Sequence, residues 1–337
     1  MQLFWFRLED EISVQTSTGK REWRLCRDGF GDAIIELGKT DRRVVMLGAD
    51  LSESTRALWF KEKYPERFFS FGIAEQNMLC AAAGMALAGL IPFVSSYGVF
   101  LSGRAWDQIR TTICYSNLNV KMAGAHGGIS VGPDGATHQA LEDCAVMRVV
   151  PNMTLVVPCD YHETRKATLA VAKMYGPAYV RYGREKVPVV TNEDTPFELG
   201  KALVMRQGGD ITFIANGYMV SQALDAAEIL AGEGIEARVI NMHTLKPLDR
   251  EAIIRAAKET GRIVTAEEHQ LAGGLGAAVA EVVVQTYPVP MRMIGMPDSF
   301  GESGTPEELL TKYGMTAEKI VTAARSLLNK NGETATV

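Results

Sequence analysis

The stretch Ala125–Gln139, AHGGISVGPDGATHQ, places two of the chain's five histidines, one aspartate and four glycines within fifteen residues. It holds no apolar run long enough to build a helix or strand. Glycines let such a segment bend and hold polar groups at a cleft. A surface connector with incidental histidines is the competing reading, and local composition favours the functional loop over it, since loops carry function disproportionately. A further carboxylate, Glu75, opens an Ala- and Met-rich helical stretch, where interaction with the positive helix end is the ordinary explanation. Together His126, Asp134, His138, Glu75 and scattered arginines suit proton transfer on a polar, phosphorylated substrate. Metal hydrolysis fits less well. His126 and His138 are twelve residues apart with only Asp134 between them, and neither HExxH nor a paired-carboxylate spacing occurs, so this chain is expected to hold no metal. Gly273–Ala277, GGLGA, resembles a phosphate cradle, but a full GxGxxG and a P-loop GxxxxGK[ST] are missing, and a tight turn accounts for its glycines.

These residues need elements to position them, and from Arg24 helices and strands alternate. RDGFGDAIIELGKT has helical spacing, with Phe30, Ile34 and Leu37 on one stripe. VVMLGAD is a short buried strand, and STRALWFKEKYP a helix with Ser54 as its N-cap and Pro65 as its stop. RFFSFG is a strand, and AEQNMLCAAAGMALAGL a helix apolar nearly all round, hence expected to be buried. The strand IPFVSSY leads into a helix, FLSGRAWDQIRTTICYSN, and the strand VKMAGA runs into the polar loop. The helix HQALEDCAVMR, strand TLVVPC, helix YHETRKATLAVAKMYG and strand AYVRYG follow. After the polar, Pro-bearing stretch Glu185–Gly200 a second set begins. DITFIANG, IEARVINMHTLKP and RIVTAEEHQ read as strands, each followed by a helix, and MRMIGMPD and a C-terminal helical region complete it.

The pattern predicts an α/β chain of two doubly wound domains, with parallel sheets covered on both faces. A lead-in spans 1–21, the first domain 22–187, a linker 188–199 and the second domain 200–337. Such folds bind ligands at the carboxyl ends of their strands. GAD, FGIAEQN, SSYGVF and AGAHGG all begin at such ends, so the fold can gather them at one edge. The AEEHQLAGGLG turn of the second domain reads as packing at a subunit interface or as a small anion site.

At 337 residues the chain is long enough for two domains. A net charge of −5 without a compensating Lys/Arg cluster argues against a nucleic-acid face. Cys26, Cys80, Cys114, Cys144 and Cys159 are scattered and form no CxxC, which favours reduced thiols. No apolar stretch reaches eighteen residues, so no membrane association and a cytoplasmic location are expected.

GADLSESTR, FGIAEQN, SSYGVFLSGRAWDQIR, GGISVGPDGATHQALED and YVRYGREKVP, in this order, resemble the C-terminal half of transketolase. The likeness runs from about Arg24 to the last helix. It implies a pyrimidine-binding domain followed by a transketolase C-terminal domain, with thiamine diphosphate as cofactor. In that family the glutamate matched by Glu75 hydrogen-bonds N1′ of the cofactor's aminopyrimidine. That bond favours the imino tautomer, which removes the thiazolium C2 proton, so the resemblance overrides the helix-end reading of Glu75. Phe100 matches the aromatic residue that stacks on the pyrimidine, against the alternative of a core phenylalanine. The resemblance also assigns Tyr97, Asp50 and Arg104 to the cofactor side. His138 matches the histidine facing the ketose hydroxyl, and His126 the one that binds the substrate's polar end. Both join Glu75 as catalytic candidates. Asp134 matches the residue that reads the hydroxyl next to the carbonyl, and Arg184 the one that takes the sugar phosphate. Arg27 and Ser54 align with further phosphate-side positions.

Two departures matter. SGRAWDQIR is similar to the deoxyxylulose-phosphate synthase version of its helix, so Arg104 is expected to enter the site in a way untypical of transketolase. The family's GDG motif, which holds the diphosphate through Mg²⁺, does not occur in the chain. The resemblance then implies a split transketolase: an N-terminal subunit supplying the diphosphate- and Mg²⁺-binding domain, an α₂β₂ heterotetramer, and sugar phosphates as substrates. The rivals are the β subunit of a 2-oxo-acid dehydrogenase E1, a deoxyxylulose-phosphate synthase, and a non-catalytic scaffold subunit that kept the fold.

Overall fold

The computed structural model describes residues 21–328, so all of the lead-in except Arg21 lies outside the described residues. The first half contains β1 (Trp23–Leu25), α1 (Cys26–Thr40), β2 (Val44–Gly48), α2 (Ala57–Lys63), β3 (Phe68–Ser70), α3 (Glu75–Leu87), β4 (Ile91–Tyr97), β5 (Lys121–Ala125), α4 (Asp143–Arg148), β6 (Thr154–Val156), α5 (Tyr161–Lys173) and β7 (Ala178–Tyr182). After β8 (Lys186–Pro188), the second half contains β9 (Leu203–Arg206), β10 (Ile211–Ala215), α6 (Met219–Ala231), β11 (Ala237–Asn241), β12 (Thr244–Lys246), α7 (Arg250–Thr260), β13 (Ile263–Gln270), α8 (Leu275–Thr286), β14 (Met291–Met296), α9 (Pro306–Lys312) and α10 (Ala317–Leu328).

The main sheet runs β12-β6-β7-β5-β4-β2-β3 and the second β14-β13-β10-β11-β9. Central strands such as β4 and β5 are buried at every residue, because helices cover both faces. Alternation along β2 divides its side chains between two layers. Val45 and Leu47 meet α3 and the helical segment after β4, while Val44 and Met46 meet α1 and α5. The layer holding Val45 and Leu47 continues into Ile214, Ile240, Ile253 and Val279, so the two halves share one apolar core. No helix among the described residues is long and apolar enough to cross a membrane.

The elements depart from expectation where tertiary pairing or backbone strain decides. Each sheet carries an antiparallel edge strand, β12 on β6 and β9 on β11, so neither is wholly parallel. IEARVINMHTLKP is two strands, not one: β11 stays in the second sheet and β12 crosses to complete the first. β9 has no distinct sequence signal. Ser54 does not cap α2; Arg56 is its N-cap, in a left-handed conformation. HQALEDCAVMR is helical only from Asp143, because Ala140 is drawn into a bridge with Gly127. The segment after Tyr97 is helical but widened, with π-helical turns over Phe100–Arg104 and Gln108–Cys114. α3 is not buried all round: Cys80, Gly84 and Leu87 line an uncovered side.

Candidate active site

Four strand ends supply the site. β2 ends before Asp50, β3 before Glu75, β4 at Tyr97 and β5 before His126. Because β2, β3, β4 and β5 are parallel neighbours, these ends fall on one edge of the sheet.

Glu75 is the first residue of α3 and is 1% exposed. Its Oε1 accepts from Ser96 Oγ at 3.2 Å, and its Oε2 from Arg104 Nη1 at 2.7 Å. A buried carboxylate requires such partners. Beside it the aromatic residues form a continuous wall. Tyr97 stacks on Phe100 with centroids 5.9 Å apart and 11° between the planes, and His126 lies 4.1 Å from the Tyr97 ring. His138 meets Phe100 edge-on at 5.3 Å, and its Nδ1 is 2.9 Å from Thr137 Oγ1.

His126 occupies a left-handed backbone position (φ 59°) and is fully buried; neither ring nitrogen meets full hydrogen-bond geometry, and the Ser54 backbone is the polar group beside the ring. An orphaned polar pair of this kind is costly, and a hydroxyl-bearing ligand would satisfy it. Burial, with Arg27 and Arg184 adding to it, drives the His126 pKa down to about 3. The ring is therefore neutral at working pH, able to donate from one nitrogen and accept at the other. The unfolded imidazole binds its proton near 6.5 and the folded one near 3, so the unfolded state holds more protons throughout that window. Stability is thus lost as pH falls from 6.5, by up to about 1.4 kcal/mol per unit. The buried Glu267 and Glu268, whose pKa values are raised by desolvation, contribute with the opposite sign. The His126 share is the difference between wild type and His126→Gln. Urea unfolding at pH 6.5 and 4.5 should show wild type losing about 2 kcal/mol more than the variant; equal losses would contradict the buried neutral ring.

On the loop's outer side, Arg184 Nη1 donates to Asp134 Oδ1 at 2.8 Å and to the Val131 carbonyl at 3.2 Å. Arg27 donates to the Ser54 carbonyl at 3.0 Å, so it is the backbone of Ser54 that Arg27 meets. Arg56, paired with Asp28 at 2.7 Å, adds a third cation nearby. Asp50 is exposed at a left-handed position, and among the described residues no hydrogen bond or ion pair ties it to the rest.

Several supporting groups have little sequence signal. Gln139 Nε2 donates to the Glu302 carbonyl at 2.9 Å and lies within 3.4 Å of the Ile129 and Gly132 carbonyls, cinching the loop's two ends to the second half. Glu268 Oε1 accepts the Ser130 N–H at 3.0 Å. At Gly128 (φ +96°) a Cβ would come within 2.8 Å of that carboxylate, so only glycine fits. Gly128–Gly132 also spells GxSxG, but the backbone there forms tight 3₁₀ turns interrupted at Gly132, unlike the strand–helix elbow of a hydrolase. Beneath the loop, Arg181 bridges to Asp143 at 3.0 Å and donates to the Ala140 and Glu268 carbonyls. Asp143, Cys144 and His269 present ligand atoms within 4.8 Å of one another, yet Asp143 is held by Arg181, and His269 Nε2 accepts from the Ala145 N–H. In the AEEHQLAGGLG turn, the buried carboxylates serve the chain's own fold. Glu267 itself caps α8 through the Leu275 and Gly276 N–H groups, and Glu268 faces the first half.

The residues fit a thiamine group: a buried carboxylate beside stacked aromatic rings, with an unpartnered neutral histidine at the same edge. Comparison with known proteins points the same way. The models for the pyrimidine binding domain and the C-terminal domain of transketolase match residues 24–190 and 200–320. The 6-deoxy-6-sulfo-D-fructose transketolase subunit of Clostridium sp. (strain MSTE9) is 42% identical over 311 residues, covering 92% of this chain and 97% of its own length. A subunit of the apulose-4-phosphate transketolase of Phocaeicola vulgatus is 41% identical over 306 residues, covering 90% and 98%. A solved structure described as a split gene transketolase, inactive beta4 tetramer, superposes with a TM-score of 0.85 at 49% identity, covering 90% of this chain and 98% of that one.

Proposed function

The chain belongs to the transketolase family, and from that premise we propose that it is the C-terminal subunit of a split transketolase, transferring a two-carbon ketol unit from a ketose phosphate to an aldose or aldose phosphate. The observation that carries this reading is the buried Glu75 carboxylate set beside the Tyr97–Phe100 stack and the two loop histidines.

Thiamine diphosphate, when bound, supplies the carbon carrier and electron sink. Glu75 would hold the pyrimidine ring nitrogen and share a proton with it, with Ser96 fixing the carboxyl from β4. Phe100, backed by Tyr97, offers a flat apolar face for the ring. His126, neutral and unpartnered, would bind a substrate hydroxyl. His138, half-exposed at the mouth, would move a proton to or from the reacting oxygen. Asp134 and Arg184 would exchange their mutual ion pair for a sugar hydroxyl and a phosphate. Arg27, with Arg56 near it, extends the cationic side toward that phosphate, and Ser54 holds Arg27 through its carbonyl. Asp50 marks the edge where the cofactor would leave this chain.

The diphosphate end and its Mg²⁺ would be held by a partner polypeptide. Two features support this. Relatives of matching length include two described as transketolase subunits and a solved structure described as a split gene product. The uncovered side of α3 and its approach expose Ile73 (74%) beside Glu75 and Leu87 (75%) at the far end, with Cys80 between them, apolar positions that a second chain would cover. The stoichiometry proposed is α₂β₂.

The test is reconstitution with the chain carrying the diphosphate-binding domain. Aldose release from a ketose phosphate should require both chains, with activity in either alone at least about a hundredfold lower, since each chain holds only part of the catalytic constellation. Turnover of pyruvate in place of the ketose phosphate would sink the proposal in favour of a 2-oxo-acid dehydrogenase or deoxyxylulose-phosphate synthase reaction.

A further inference from the structure

Arg104 stands where its sequence neighbours do not require it. Its guanidinium carbon lies 4.7 Å above the centroid of the Phe100 ring, and its Nη1 donates to Glu75 Oε2 at 2.7 Å. A flat, π-delocalised group with N–H donors, placed over Phe100 and bonded to Glu75, occupies the two contact points that an aminopyrimidine would use at this site. We propose that Arg104 is a built-in surrogate for the cofactor's pyrimidine ring, holding its place until the cofactor displaces it. This rests on the thiamine-site reading above and adds a competition that the reading does not contain.

The physical case has three parts. Glu75 is 1% exposed, and a carboxylate so buried is destabilising unless charged or hydrogen-bonding groups compensate it. Ser96 engages Oε1, and Arg104 engages the other oxygen. A ring nitrogen sharing a proton with Glu75 needs an oxygen of that carboxylate, and the guanidinium holds the one that Ser96 leaves. Arg104 is also free to leave. Its side chain is 43% exposed, and it closes the π-helical turn Phe100–Arg104, a wider turn than an α-helix and a type that recurs at functional sites. Gln76 Nε2 donates to the Arg104 carbonyl at 3.0 Å, so the backbone stays anchored while the side chain moves.

The experiment is a calorimetric titration of the reconstituted two-chain complex with thiamine diphosphate and Mg²⁺. Removing a competitor tightens binding, so Arg104→Gln should lower Kd about fivefold or more. Arg104→Lys, which keeps the charge but loses the planar fork, should give a Kd between those of Arg104→Gln and wild type. An unchanged or raised Kd in Arg104→Gln overturns the proposal, because an arginine that helped to hold the cofactor would weaken binding when removed. If Arg104→Gln fails to assemble, Arg104→Lys decides alone: a lower Kd supports the surrogate role, and an equal or higher one overturns it. Failure of the wild-type complex to bind cofactor overturns the thiamine-site reading as well, whereas binding that Arg104→Gln leaves unchanged or weakens overturns only the surrogate role.

Discussion

Replacing Glu75 by glutamine in the two-chain complex should lower kcat for ketol transfer by about three orders of magnitude, within the range that a positioned proton-transfer group contributes. The amide keeps the size of the side chain and can still accept from Ser96 Oγ, so the fold of β4 and α3 should survive. What it loses is the ability to share a proton with a ring nitrogen. The effect should appear in kcat and kcat/KM together, since the missing interaction acts on the chemical step more than on substrate binding. Before cofactor is added, Arg104 gives an internal control: Glu75→Gln removes the charge that the guanidinium meets, so the variant's Arg104 should be looser and more accessible to arginine-selective modification than that of the cofactor-free wild type. Retention of a tenth or more of wild-type kcat would mean that Glu75 is only the helix-end carboxylate its position first suggests.

Much of this site is legible in the chain because its parts follow strand ends directly. Glu75, Tyr97 and His126 each lie at or within a few residues of the end of a run that reads as a strand, and parallel pairing then places them on one edge. What stays hidden depends on long-range partners. Ser96 is one of two serines closing IPFVSSY, and nothing local distinguishes it from Ser95. Only register points its hydroxyl at Glu75. Asp134 and Arg184 read as two separate substrate ligands, and the fold also makes them partners. TLKP reads as the tail of a strand, since period-two alternation carries no information about which sheet a strand will join. The π-helical turns escape as well: Phe100–Cys114 has ordinary helical composition, and only the fold shows that the first wide turn sets Arg104 over Phe100 and against Glu75.

Arg181 carries the largest expected effect on stability. It is 4% exposed, and its Nε lies 3.0 and 3.1 Å from the two oxygens of Asp143, which is itself fully buried. Burial alone would lower the arginine's pKa, but Asp143, joined by Glu268 and other nearby groups, more than reverses this and holds it above the ordinary value. Tyr179 Oη adds a donor to Asp143 at 3.1 Å. Arg181→Met would strand a buried carboxylate, which costs about 3–5 kcal/mol. It would also leave the Ala140 and Glu268 carbonyls without the N–H groups that Nη2 gives them. A fall in Tm of roughly 10 °C is expected. Pairing it with Asp143→Leu removes the stranded charge, so the double variant should recover part of the loss, with a coupling of about 2 kcal/mol in the cycle. Strictly additive losses would mean that the pair contributes only through packing. The consequence reaches the site, because Ala140 bridges to Gly127, next to His126, and Glu268 holds Ser130 within the same loop. The recovered double variant should therefore still transfer ketol units with a raised KM, since a looser loop positions His126 and His138 less well for the substrate. An unaltered KM would show that Gln139 and Glu268 suffice to hold the loop.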